Sequence, residues 1–570
     1  MPALQRDDDL ICHFSIVSLD EPVIQYEALS YVWGTRMHNN RVFVQGEPIA
    51  VTENLYLALQ NLRFTDKERI LWVDALSINQ SNDKERTHQV SLMSSIYKRA
   101  WNVVIWLGET FNDCDLAMDY LKQLGGDKNL HLNPSLSPSI RVAGESVDSV
   151  QIQNALKEFF SLPWWTRVWT VQEWVLGRQT VFQCGQQFLD GQIVRKSVRH
   201  FFHHRHQCCF KLDDLNEDSL FNCFLVMESM EYIRLLLNKV SFPYIISQFL
   251  ARQATDMRDK VYGMLGLATG QYENLIEAEY SYSVEEVFEA STMKMIQRTG
   301  TLEVLSHIPT FLQRTLNLPS FVPDWTATVG DDPRYTNWLN WLGHLHLYDA
   351  CRGEAADIKV IAPGRIAVKG IIVDEIESTG SEPFTVSYEA LLQEMHDLAD
   401  MDGDTEQIYC DTSVTRKVAF WLTICGSTEN FLDPDRDNRP FFRRIPTPTD
   451  FSRFEKWEGW FPSHSVTLVD PDILSVHTPF SVMVKGRKFA VTKCGYMGFC
   501  PIQCKKGDVI TVLAGGTVPF VLRPDESARK SGLEGGYTVI GDSYVHSIMD
   551  GEAVASGGEI GTHWKYLELS

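Results

Sequence analysis

Apolar positions change their period along the chain, and the changes mark three stretches. In the first 190 residues, short β-prone runs alternate with helical ones, the order that yields a parallel sheet with crossover helices. Residues 26–33 (YEALSYVW) run into Gly34 and predict a strand followed by a turn. Residues 41–44 and 47–51 predict a hairpin around Gln45 and Gly46. Residues 52–62 open with a capping Thr and set Leu55, Leu59 and Leu62 on one helical face. Residues 70–75 (ILWVDA) are apolar at nearly every position, as expected of a strand covered on both faces. Helical spacing returns at 83–100 through Val90, Met93, Ile96 and Tyr97, and residues 102–107 predict a second buried strand. Helices are expected at 149–160 and 166–176, broken by Pro163, with a strand at 180–184. The Pro-, Ser- and Gly-rich stretch 125–145 reads as a surface loop.

From about 195 to 310 the pattern is mostly helical, through 225–240, 244–254 and 284–298. After about 355, short β runs at 358–360, 366–373, 489–492, 509–513, 520–522 and 537–541 alternate with Gly-rich turns. That texture belongs to a barrel or sandwich. A helical insert is expected near 387–399 and 413–425. The expected division is an α/β domain over 1–195, a helical region over 196–355 and a β-rich domain with a helical insert over 356–570.

Composition narrows the functional classes. A 570-residue chain that is 44% apolar, with 11% aromatics, can fill several cores. Its 52 Lys and Arg against 74 Asp and Glu leave a net charge of −22, which argues against general nucleic-acid binding. A small basic pocket for a nucleotide stays open. The 12 Cys lack regular spacing, residues 1–10 hold three Asp and no apolar core, and no apolar run approaches the ~20 residues of a membrane span. A soluble protein with reduced thiols in the cytoplasm is expected.

Four segments carry a family likeness: 26–34 (YEALSYVWG), 71–80 (LWVDALSINQ), 93–108 (MSSIYKRAWNVVIWLG) and 167–173 (RVWTVQE). In content, order and spacing they resemble fungal heterokaryon-incompatibility (HET) domains. The second motif departs from the family in holding Ser77 where Cys is usual, so no thiol chemistry is expected there. Residues 256–262 (DMRDKVY), 318–325 (LPSFVPDW), 507–510, 518–523 and 544–546 resemble segments that follow the domain in such proteins. The likeness implies a non-self-recognition effector that triggers cell death when incompatible cells fuse. HET domains are in turn similar to TIR domains, which implies a TIR/flavodoxin-like parallel sheet with flanking helices, and some TIR domains hydrolyse NAD. Ser30 and Tyr31 match the start of that fold, and Trp169 and Glu173 share the TIR spacing around the catalytic Glu.

Cleaving the nicotinamide–ribose bond needs a carboxylate near the developing oxocarbenium ion and groups that grip the nucleotide, since the pyridinium already leaves well. Glu173 is the candidate catalytic residue, one helical turn from Trp169 and so able to line one pocket with it. The plainer alternative makes Trp169 core and Glu173 a cap or a partner of Arg167 or Arg178. Asp74 closes a buried run and either holds a ribose or bonds the backbone that follows it. Ser30, Tyr31, Trp33, Gly34 and Arg36 lie on the first strand and its loop, with Arg36 a candidate phosphate contact. Asn79 and Gln80 either touch substrate or form a turn. NAD is expected as substrate with no cofactor required, alongside self-association and an unidentified recognition partner. A module acting only by self-association and recruitment is the competing reading.

Residues 203–209 (HHRHQCC) do not supply two separated ligand pairs and read as a solvated helix face, so no metal is expected. Cys494, Cys500 and Cys504 lack CxxC spacing. Asp256, Arg258 and Asp259 are expected to pair at a helix start.

Overall fold

Five short strands organise the first part of the chain: β1 (Glu27–Ser30), β2 (Leu71–Trp72), β3 (Asn102–Trp106), β4 (Thr180–Cys184) and β5 (Gln187–Asp190). Their spatial order is β2-β1-β3-β4-β5. The first four are parallel to their neighbours, and β5 folds back on β4 as a hairpin. We describe them from a computed structural model, which describes residues 9–20, 25–34, 40–111, 113–133, 135–142, 145–146, 149–209, 218–330, 332–383, 385–410, 412–432, 440–445, 451–463, 470–525, 536–555 and 564–570.

The pleat sorts the strand side chains onto two faces. Leu29, Val104 and Trp106 face helix Glu53–Leu62, whose Leu55, Ala58, Leu59 and Leu62 complete one core. Thr52 caps that helix, its hydroxyl accepting from the Leu55 amide at 3.4 Å. A small sheet of Ile11–Cys12, Arg41–Val44 and Glu47–Ala50 borders the same core. The opposite face meets helix Trp169–Leu176, of which residues 170 to 175 are all buried. Gly177 lets this helix end lie against β3 and β4: a Cβ there would stand 2.8 Å from Thr180 and 3.0 Å from Val103.

Two expectations need correction here. Residues 70–75 do not form a strand buried on both faces. Only Leu71 and Trp72 pair, they are half-buried at the sheet edge, and Asp74 opens a short helical turn. Nor is 166–176 one helix. Pro163–Thr166 is a 3-10 turn, and the Val168 amide bonds the Gln253 carbonyl at 2.9 Å, diverting the backbone before the helix starts at Trp169.

The chain divides into two compact units. One comprises residues 1–245 with 252–282, the other residues 246–251 with 283–570. In the second unit, Arg365–Thr379, Lys565–Leu569, Gly536–Asp542, Phe520–Pro524 and Val509–Leu513 pair in succession, and Val509–Leu513 pairs back on Arg365–Thr379, closing a barrel. The 15-residue strand Arg365–Thr379 also leaves the barrel to pair with Arg487–Thr492, which continues to Met497–Pro501. Helices Tyr388–Leu398 and Arg416–Ile424 form the expected insert, capped by Ser387 and Thr415. The molecule is thus mixed α/β with a β-rich C-terminal region. Among the described residues no helix is long and apolar enough to cross a membrane.

Candidate functional site

The order β2-β1-β3 means that the chain leaves β1 towards one side of the sheet and later returns on the other. Such a reversal opens a crevice at the carboxyl ends of the strands, where ligands of α/β sheets bind. Ser30 ends β1 at this point, paired in register with Ile105 of β3. Its hydroxyl donates to a carboxylate oxygen of Glu173 and accepts the Trp164 indole N–H at 2.7 Å. Tyr97 also reaches Glu173 while donating to the Leu29 carbonyl at 3.1 Å.

Glu173 is only 6% exposed, and none of the groups bonded to it carries a charge. Burial therefore dominates and pushes its carboxyl up to about 7, with hydrogen bonds from Ser30 and Tyr97 and the charge of Arg167 acting the other way.

A second carboxyl lies beside the first. Asp74 accepts the Trp33 indole N–H and the Ala75 amide, each at 2.7 Å. Burial pushes this carboxyl above its ordinary range as well, against the pull of Trp33, Ala75, Tyr31 and Arg167. The Tyr31 hydroxyl is buried next to Asp74 without a well-formed hydrogen bond to it. Burial, then the neighbouring carboxylates, hold this phenol well above its ordinary range. Arg167 favours the charged forms of both Asp74 and Glu173, yet makes no ion pair with either.

The structure thus brings together five of the residues singled out from sequence: Ser30, Tyr31, Trp33, Asp74 and Glu173. Trp169 and Asn79 are engaged elsewhere. Trp169 shares a helix face with Glu173, but its indole donates to Asp259 at 3.0 Å, and Tyr280 donates to the same carboxyl at 2.8 Å. Burial pushes Asp259 up to about 6. Asp259 therefore does not pair with Arg258, which instead grips Asp256. Asn79 is exposed and its side chain accepts from Ser81, while its amide donates to Glu85, so it forms the turn before helix Asp83–Arg99. Gln80 lies half-buried in that turn. Gly34 takes φ +72, which a side chain would strain, and ends the run from β1. Arg36 lies outside the described residues.

Arg167, Trp164 and Tyr97 were not among the expected site residues. Arg167 stood in a quoted motif, but only as a partner for Glu173. Tyr97 showed only the spacing of a core position, and Trp164 was marked only by the bunching of Trp over 164–174, which suits core anchors or a ring-lined cleft.

Comparison with known proteins bears on this arrangement. Residues 26–173 match the heterokaryon incompatibility protein (HET) family, and residues 477–559 match the Het-6 beta-barrel domain. The chain carries a HET domain over residues 26–173. It is similar to the heterokaryon incompatibility protein 6, OR allele, of Neurospora crassa, being 23% identical over 655 aligned positions that span 97% of this chain and 93% of that one. No solved structure matches it. The HET match runs from just before β1 to Glu173, so it contains every residue of the site. The compact unit holding the HET match continues to residue 282, through β4, β5 and the segment that holds Trp169.

Proposed function

We propose that this HET-domain protein is a heterokaryon-incompatibility effector whose first unit hydrolyses NAD at the nicotinamide–ribose bond and thereby triggers cell death. The observation that carries the reading is the position of Glu173: a carboxyl titrating near neutrality, hydrogen-bonded to the residue that ends β1, at the reversal point of the sheet. The order 2-1-3-4 of the parallel strands is shared with flavodoxin-like folds and supports the TIR likeness, while β5 departs from it in being antiparallel.

In this reading the glycosidic C–N bond breaks with its electron pair passing to the ring nitrogen, which releases neutral nicotinamide. The Glu173 carboxylate stabilises the cationic ribose. Water then adds to the anomeric carbon and gives up a proton, leaving ADP-ribose. Arg167 supplies a positive charge for the diphosphate, and Asp74 accepts from a ribose hydroxyl when Trp33 turns aside.

The burial of Glu173 gives the second reading its footing. A carboxyl with 6% exposure can serve chiefly to hold β1 to helix Trp169–Leu176 in a module that works by self-association and recruitment of a recognition partner.

The two readings separate in one experiment. Purified full-length protein is incubated with NAD, alone and under conditions that promote self-association, and nicotinamide release is measured. The enzyme reading expects release that Glu173→Ala abolishes and that Glu158→Ala, at an exposed position on helix Ser149–Ser161, leaves intact. Full cell killing by a folded Glu173→Ala variant would rule it out.

A further inference from the structure

Helix Gly191–Gln207 ends in a group of side chains with no part in the site above. Cys208 and Cys209 follow its last turn, and both their amides bond the His204 carbonyl, at 3.0 and 2.8 Å. His131 arrives from a distant stretch after helix Cys114–Gly126, with its backbone held by Pro138 and Ile140. One ligand atom from each of His131, His204, Cys208 and Cys209 lies within 4.8 Å of all the others. The expectation of a solvated helix face is corrected here, because His204 and Cys209 are buried.

We propose that His131, His204, Cys208 and Cys209 bind a zinc ion. A tetrahedral zinc with Zn–S near 2.3 Å and Zn–N near 2.0–2.1 Å sets its sulfurs about 3.8 Å apart and each sulfur about 3.6 Å from each nitrogen. The two Sγ atoms here are 3.8 Å apart. The four Sγ to Nδ1 distances are 3.1, 3.4, 3.6 and 3.9 Å, bracketing the tetrahedral edge.

The His204 ring is also set for the task. Its Nε2 lies 2.8 Å from the Lys128 carbonyl, which can only accept, so the proton sits on Nε2 and the Nδ1 lone pair faces the thiols. A backbone carbonyl orienting a histidine in this way is the usual outer partner of a zinc ligand. Two thiolates and two soft-to-borderline nitrogens select zinc over the hard cations magnesium and calcium. Binding converts two thiols to thiolates and releases two protons, leaving a neutral centre that suits a half-buried place.

Four protein ligands close the coordination sphere, so the site is structural and not catalytic. It fastens the end of helix Gly191–Gln207 to the stretch after helix Cys114–Gly126. The two helices are already tied by the His200 side chain on the Leu124 carbonyl at 2.7 Å.

The test uses the reduced full-length protein, produced with zinc in the medium and passed over a chelating resin. Elemental analysis is expected to find about one zinc per chain. Replacement with cobalt should give the visible bands of a tetrahedral ion together with thiolate-to-cobalt charge transfer. Cys208→Ser alters the exposed ligand, and His131→Gln a half-buried one. Each should weaken zinc at least about tenfold with unchanged circular dichroism. Wild-type protein that holds no stoichiometric zinc and shows no cobalt bands would overturn the proposal whatever the variants do. So would Cys208→Ser binding as tightly as wild type, or a Cys208–Cys209 disulfide, two hydrogens lighter, in protein isolated without oxidant.

Discussion

Glu173 has a cost that can be read from its surroundings. Its ordinary value of 4.5 rises to about 7 in the fold, so between those limits the folded chain holds a proton that the unfolded chain has lost. Stability from this group therefore falls as pH rises from 4.5 to about 7, and the full deficit, about 3 kcal/mol at 1.36 kcal/mol per pH unit, persists above. Glu173→Gln keeps a polar group beside Ser30 and removes the charge. It should match wild type in urea unfolding near pH 4 and exceed it by about 1–3 kcal/mol near pH 8. If the ionised carboxylate is catalytic, nicotinamide release by wild type should climb about tenfold from pH 6 to pH 8, and Glu173→Gln should lose it while gaining stability. A merely structural glutamate would show the gain alone. Ser30→Ala tests the other end of the contact. It strips the Trp164 indole and Glu173 of their shared partner and should lower stability by about 1–3 kcal/mol, read as a drop in Tm.

At the scale of elements, the helix Trp169–Leu176 is buried all round, and glycines set how closely its neighbours approach. A Cβ at Gly177 would crowd Thr180 and Val103, and one at Gly266 would stand 2.4 Å from the Gln172 side chain and 2.7 Å from Ser94. Gly177→Ala should therefore cost about 1–3 kcal/mol and shift the Glu173 carboxyl, so thermal unfolding and nicotinamide release should both fall. Most of these elements were legible in the chain. A continuous apolar run marked β3, a capping Thr marked helix Glu53–Leu62, and short β runs between Gly-rich turns marked the barrel strands. What local patterns do not record is partnership across distance. Ser30 and Glu173 meet across 143 residues, and Cys208 and His131 across 77. The one-turn spacing of Trp169 and Glu173 does put them on one face. In a helix with no exposed side, that face is divided between two sets of partners, and Trp169 goes to Asp259.

The two compact units set where the chain can be cut. A fragment ending at residue 195 would lose helix Asp218–Leu236 and the 252–282 segment, with the Asp259 and Gln253 contacts that hold the start of helix Trp169–Leu176. It should be insoluble, whereas a fragment ending at 282 should unfold in one cooperative transition by calorimetry. The barrel of the second unit raises a question of time. Arg365 and Glu568 stand on neighbouring strands although 203 residues separate them, and the helical insert lies between. A ribosome adding about 5–20 residues per second takes about ten seconds or more to cross that interval. Throughout it, the strand Arg365–Thr379 has an open edge that nothing yet synthesised can close. Nascent barrel strands are thus exposed to pairing with other chains, and high contact order makes the final closure slow. Production at a lowered temperature, or with a holdase chaperone, should raise the soluble yield of the whole chain much more than that of the fragment ending at 282.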